Sequence, residues 1–243
     1  MSIYKTGHEI TTAIMGGRII SEMYNRGAKA FDVLPEGFTR VNYIESTGQQ
    51  IIDTEFYGGI DSHATEIDFV YTKAQTATSL FAARTNAGVS PSPSRVGNLY
   101  FGQDGRFSVY VGSTGNLMTL PANARINVGD RRIARLEVDS VNHEVRRVLT
   151  TADQTPVLIS EQSMAWSGTS LTLHPMGLCG GNTQNVWSEA ASIKVYRFRL
   201  WENGVQTREF IPCLDSAGKA CMYCPLTKRA YYNVRSNDDF LYG

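Results

Sequence analysis

From Phe38 to Gly243 the chain is a succession of short apolar runs cut by turn signals, with no run carrying a long helical period. That pattern constrains the fold more than any other feature. Ala64 to Tyr71 alternates, with Thr65, Ile67, Phe69 and Tyr71 predicted on one face and Ala64, Glu66, Asp68 and Val70 on the other. A period of two belongs to a half-buried strand. Gly102-Gln103-Asp104-Gly105 predicts a hairpin turn between Leu99–Phe101 and Phe107–Val111, Asn142-His143 predicts another, and Asn203-Gly204 a third. Ser79–Ala83 reads as a buried strand, Asn86–Asn98 as a long loop, and Ile133–Val138 with Val145–Leu149 as a strand and its return. Leu171–Leu178 and Ser192–Trp201 complete the series, with Trp201 expected in the core. More than about ten short strands without a long helix predict an all-β, two-sheet sandwich. No repeat of 20 to 50 residues supports a propeller or solenoid.

Length permits one large β domain and a small appendage. The 243 residues include 23 Lys+Arg and 23 Asp+Glu, so the formal charge is zero. A chain without a basic field is a poor partner for nucleic acid or an anionic bilayer. No apolar run approaches the roughly 18 residues that span a membrane. Met1-Ser2-Ile3-Tyr4-Lys5-Thr6-Gly7-His8-Glu9 has no basic segment followed by an apolar one, so no secretory leader is read there.

Residues 1–34 form a separate segment in this reading, joined through Leu34-Pro35-Glu36-Gly37 to a domain over 36–243. Strand and helix compete around Arg18–Tyr24. So short a piece cannot bury Ile3, Tyr4, Ile10, Ile14, Ile19, Ile20, Met23 and Tyr24 by itself. These residues are expected to pack on the main domain, another copy or a larger assembly.

Tyr43-Ile44-Glu45-Ser46-Thr47-Gly48-Gln49-Gln50-Ile51-Ile52-Asp53-Thr54 opens the domain. Phe210-Ile211-Pro212-Cys213, Met222-Tyr223, Tyr232-Asn233, Phe240 and Gly243 close it. These two segments resemble the opening and closing strands of LamG-like, concanavalin A-type jelly-roll modules of bacteriophage structural proteins and gut-bacterial surface proteins. The resemblance implies a jelly-roll version of the sandwich. Residues 1–34 resemble the short Gly- and Tyr-containing segments that precede such modules in phage proteins. The function expected from this is a non-enzymatic virion component, a fibre, tail or capsid-surface protein assembled in the host cytoplasm. It would contact other virion proteins through its N-terminal segment, form a homo-oligomer such as a trimer, and display a lectin-like domain for surface polysaccharide. A carbohydrate-binding module of a bacterial surface protein is the alternative, and a polysaccharide depolymerase a third reading.

Glycosidases of the same fold carry two glutamates flanking an aspartate on one strand. Retaining hydrolysis needs a pair of carboxyl groups about 5 Å apart. Here Glu66 and Asp68 fit, but Val70 or Tyr71 stands where the second glutamate belongs. A strand lacking that general acid is better read as a polar sheet face, with Glu161 or Glu189 the remaining acids for a depolymerase. His8, His63, His143 and His174 are scattered, with His143 expected in a turn and His174, before Pro175, at a strand end. Cys221 and Cys224 form a Cys-x-x-Cys pair, but Cys213 and Cys179 stand at poor spacing for zinc. Buried or free thiols are expected instead, and a core of this size permits a disulfide without requiring one. Asn237-Asp238-Asp239 and Asp61 form no recognisable calcium loop, so neither a metal nor a cofactor is expected.

Gly180-Gly181-Asn182-Thr183-Gln184-Asn185-Val186-Trp187 is the binding candidate. Amides pair with sugar hydroxyls and an aromatic ring packs on CH faces. Asn182, Thr183, Gln184, Asn185 and Trp187 are therefore the predicted carbohydrate-contacting residues. The competing reading is an ordinary polar turn that Trp187 anchors to the core. Arg84-Thr85-Asn86 with Tyr100 is a second, weaker candidate.

Overall fold

The computed structural model describes residues 14–15, 18–19, 22–25, 28–32, 34–57, 62–74, 78–85, 94–101, 107–112, 114–119, 125–153, 155–167 and 174–243. Every regular element among them is a strand. Ahead of the domain lie β1 (Ile14–Met15), β2 (Arg18–Ile19), β3 (Glu22–Asn25) and β4 (Ala28–Asp32). β5 (Thr39–Arg40), β6 (Ile44–Thr47), β7 (Ile52–Tyr57), β8 (His63–Tyr71) and β9 (Thr78–Thr85) begin the domain. β10 (Ser94–Phe101), β11 (Phe107–Val111), β12 (Thr114–Thr119), β13 (Arg131–Asp139), β14 (Glu144–Thr151) and β15 (Leu158–Ala165) follow. The last third holds β16 (Pro175–Leu178), β17 (Gly180–Thr183), β18 (Val186–Ser188), β19 (Ser192–Glu202) and β20 (Val205–Leu214). β21 (Ala220–Cys224), β22 (Arg229–Tyr231) and β23 (Leu241–Tyr242) end it.

Two sheets face each other. The larger runs β15-β14-β13-β8-β19-β20-β21-β22, with β5 paired to β20, β6 to β19 and β23 to β6. The smaller runs β12-β11-β10-β9-β16-β7, with β17 and β18 attached at β9. The chain passes between the sheets repeatedly, from β6 to β7, β7 to β8, β8 to β9, β12 to β13, β15 to β16 and β18 to β19. This is the jelly-roll sandwich that the strand pattern and the resemblance predict. The core lies between the sheets, where Phe81 meets Phe198 at 5.4 Å, Phe198 meets Phe210 at 5.7 Å and Phe210 meets Tyr231 at 5.0 Å. Rings tilted at such distances combine area burial with favourable quadrupole contact.

β8 shows why the residues divide as they do. Thr65, Ile67, Phe69 and Tyr71 are buried and Glu66, Asp68 and Val70 only half-buried, as the alternation predicts, whereas Ala64, predicted on the outer face, is buried as well. Asn203 (φ 48) and Gly204 (φ 80) form the tight turn between β19 and β20, where two positive φ values match the strand twist. The opening and closing segments meet. β23 pairs with β6, Ile52 bridges Asn233, and the backbone N–H groups of Asn42 and Tyr43 donate to Gly243 O at 2.6 and 3.1 Å. Asn233 Oδ1 also accepts from Ile51 N at 3.0 Å.

Several sequence expectations change. Arg18–Tyr24 takes the strand form, in β2 and β3. β10 begins at Ser94, inside the stretch expected to be a loop. β15, not read from the sequence, is an edge strand with mostly exposed or half-buried residues, so it lacks the alternation that reveals a strand. Trp201 is half-buried on the outer face of the larger sheet, because alternation places Phe198 and Leu200 inward. Of the expected assembly residues, Ile14 lies in β1, Ile19 in β2, and Met23 and Tyr24 in β3, whereas Ile3, Tyr4, Ile10 and Ile20 lie outside the described residues. β1 pairs with β2 and β3 with β4, and both pairs stand as separate two-stranded sheets.

Candidate functional site

The Gly180–Trp187 stretch is a hairpin rather than a loop. β16 runs antiparallel to β9, the chain reverses at Cys179 (φ 66), and β17 then runs parallel to β9. Cys179 N donates to Leu80 O at 2.8 Å and fixes the reversal. Gln184 (φ 52) and Asn185 (φ 65) form the two-residue turn into β18, both in the left-handed region that such turns require. Gly-Gly-Asn-Thr has little strand preference of its own. Pairing with β9 supplies the strand, and a parallel partner about one hundred residues away leaves no local signature.

The predicted contact residues separate within this hairpin. Asn182 is fully buried, and neither its Oδ1 nor its Nδ2 has a hydrogen-bond partner. It stands opposite Trp187 in the hairpin register. Trp187 is half-buried, and a Cβ on Gly177 would come within 3.3 Å of its ring, so Gly177 leaves room for the indole. Thr183 Oγ1 accepts from Arg84 Nε at 2.6 Å. Asn185 is exposed, with its Oδ1 3.0 Å from His174 Nδ1, and Gln184 is half-buried. His174 does precede the first residue of β16, as expected.

A polar line that the sequence did not reveal runs beside them. Arg84 pairs with Glu189 at 2.6 Å, and Ser79 Oγ donates to the other carboxylate oxygen at 2.8 Å. Gly181 faces this line, and a Cβ there would lie 3.2 Å from Ala82 Cβ and 3.6 Å from Glu189 Oε2. Glu189 itself has φ 57. Four of the eight described non-glycine residues with positive φ therefore fall between 179 and 189. Such strain persists only where surrounding contacts hold it, and it clusters at functional positions. Thr85 of the second candidate loop is buried with its Oγ1 unpartnered, Asn86 lies outside the described residues, and Tyr100 is placed in β10.

The outer face of the larger sheet has a different character. Glu66 accepts from Arg199, and lies 3.5 Å from Arg135. Asp68 receives Arg131 through two bonds of 2.9 and 2.8 Å. Glu137 bonds Arg135 at 2.7 Å and Arg146 at 2.8 Å, and Arg146 reaches Glu161 at 2.8 Å. Burial alone would raise the Glu137 pKa, but the bonds from Arg135 and Arg146 outweigh it and hold the carboxyl below its ordinary range. Arg135 and Arg199 flank the Trp201 ring at 4.4 and 5.5 Å, and Arg131 stacks on Tyr196 at 3.6 Å. Val70 occupies the position on this face that a second acidic residue would need for the glycosidase arrangement. The acids there are held by arginines, which suits a structural lattice.

The cysteines are free and buried. Cys221 belongs to a small cluster with Cys213 and Tyr223, whereas Cys224 belongs to the main core, so the Cys-x-x-Cys thiols point to different sides of β21. Burial pushes the Cys179 thiol far up. Among the described residues no three His, Cys, Asp or Glu side chains converge as metal ligands would. Asp238 and Asp239 offer backbone carbonyls to Asn233 and Gln50, and Asp61 lies outside the described residues. A fully buried Arg147 donates to Gln162 and, at 3.5 Å, to Ser160, and burial lowers its pKa to about 10.

No family model and no curated protein sequence matches the chain. Among solved structures it is similar to the CBM40 of the Ruminococcus gnavus IT-sialidase, at 13% identity and a TM-score of 0.48, covering 68% of this chain and 90% of that one. The native heptameric SAP-like pentraxin from Limulus polyphemus gives 12% identity and a TM-score of 0.47, covering 67% and 76%. Lectin I-B4 from Griffonia simplicifolia, in its metal-free form, gives 13% identity and a TM-score of 0.38, covering 79% and 90%.

Proposed function

We propose that this chain is a non-catalytic carbohydrate-binding jelly-roll module that takes its glycan at the β17–β18 hairpin. One observation carries the reading. Backbone strain at Cys179, Gln184, Asn185 and Glu189 coincides in a single hairpin with the half-buried Trp187. The indole offers a face for sugar CH groups, while Thr183, Asn185, Arg84 and Glu189 offer donors and acceptors for hydroxyls. Purified full-length chain should bind at least one of a panel of bacterial surface polysaccharides. Trp187→Ala should weaken that binding by about tenfold or more while the far-ultraviolet spectrum stays unchanged. Equal binding by the variant removes the hairpin from the site, and no binding to any glycan by the parent chain rejects the function.

The finer reading is display on a bacteriophage virion, with residues 1–34 as the anchor. It draws on β1–β4, which form two separate two-stranded sheets. An isolated pair of strands is marginal in water and needs a partner. Deleting residues 1–33 should lower the oligomeric mass seen by light scattering. An unchanged mass rejects the anchor.

A further inference from the structure

Cys213 and Cys221 stand directly opposite each other on the antiparallel strands β20 and β21. Opposed residues on such strands hold their Cα atoms about 4.5 to 5.5 Å apart, within the roughly 4.4 to 6.8 Å that a disulfide spans. The two sulfurs are 3.4 Å apart and both residues are fully buried. The hairpin that joins them is fixed. Asp215 N donates to Lys219 O at 3.0 Å, Asp215 Oδ1 accepts from Ala217 N and Lys219 N at 2.9 Å each, and Tyr232 Oη donates to Asp215 Oδ2 at 2.9 Å. A cover lies over the pair, made by Leu34, Phe38, Tyr223 and Tyr232, with Phe38 and Tyr223 rings 5.4 Å apart.

We propose that Cys213 and Cys221 are a disulfide-forming pair, closed by a small disulfide oxidant while the chain folds and then sealed under the Phe38–Tyr223 cover. Oxidised glutathione serves as the oxidant. The thiolate of one cysteine attacks a glutathione sulfur, forming a mixed disulfide and releasing one glutathione thiolate. The second cysteine, as thiolate, attacks the protein sulfur of that mixed disulfide and displaces the other glutathione. The chain loses two electrons and two protons, and one oxidised glutathione becomes two reduced molecules. In the folded, reduced chain the hydrogen bond with Cys221 and burial push the Cys213 thiol far up, so little thiolate is present to start the exchange. The bridge therefore forms before the cover closes. Cys224 and Cys179 stay apart, because both face the main core.

The test refolds the denatured, reduced full-length chain in a mixture of reduced and oxidised glutathione, then counts thiols in denaturant and maps the peptides without reductant. The expected result is two reactive thiols in place of the four present in the reduced chain, with a peptide linking Cys213 to Cys221. A Cys179→Ala/Cys224→Ala variant should lose both thiols, and Cys213→Ser should form no bridge. Treating the already folded, reduced chain with oxidised glutathione should be at least tenfold slower, and Phe38→Ala should restore the rate. Four free thiols after oxidative refolding, or a bridge through Cys224, overturns the pairing. Fast oxidation of the folded chain overturns the seal. Neither outcome bears on glycan binding.

Discussion

The outer face of the larger sheet and the β17–β18 hairpin present similar side-chain chemistry in opposite conditions. On the sheet face Glu66, Asp68, Glu137 and Glu161 are each bonded to arginine, and the rings of Trp201 and Tyr196 are covered by guanidinium groups. In the hairpin the backbone is strained at Cys179, Gln184, Asn185 and Glu189, and Asn182 has buried polar atoms without partners. Leaving a buried donor or acceptor unmade costs about 1–3 kcal/mol. The hairpin instead combines strained backbone with an unsatisfied buried amide, a contrast that aromatic content does not reveal, since both regions hold a half-buried tryptophan.

Three experiments break or sharpen the contrast. The largest effect is expected at Glu66, whose side chain is 16% exposed between two arginines. Glu66→Gln should cost about 2 kcal/mol in urea unfolding, between the values for exposed and buried pairs, and leave glycan retention intact. A loss of retention there would move the site to the sheet face. Asn182→Leu keeps the shape and removes the unpartnered amide. It should raise stability by about 1 kcal/mol and leave glycan binding unchanged, since the amide does not reach solvent. Destabilisation of that size would mean the amide is satisfied in solution, and the contrast would collapse. The smallest effect is a pH dependence. The depressed Glu137 carboxyl contributes stability that is present above its unfolded pKa and is lost as pH falls through its lower folded value. Melting temperature should drop over that acid range, and Glu137→Gln should flatten the drop. An identical acid profile in the variant would remove Glu137 from the lattice.

Much of the sandwich was legible because its signals are local. The alternation of Ala64–Tyr71 and the Asn203-Gly204 turn each state their structure within a few residues. The closing residues Tyr232-Asn233 and Phe240 could be paired with Tyr43–Thr54 only through a resemblance. The hairpin was half legible: its polar and aromatic residues were visible, but its strand character comes from a parallel neighbour, β9. Arg84 and Glu189 stand far apart in the sequence, one in the weaker loop candidate and one as a spare acid, and only the fold pairs them. Asn182 was read as a contact residue from its type, and only three-dimensional burial shows that its amide is turned away from solvent. The Cys213–Cys221 pair could have been found. Two cysteines eight apart around Asp215-Ser216-Ala217-Gly218 fit opposite positions of a hairpin.

The meeting of β6 and β23 has a mechanical consequence. The strands are antiparallel, and the chain enters beside Tyr43 where it leaves at Gly243. A pull applied at Tyr43 and at Gly243 would load these bonds one after another, like a zipper, instead of shearing them together. Under such tension the seam would give way one bond at a time.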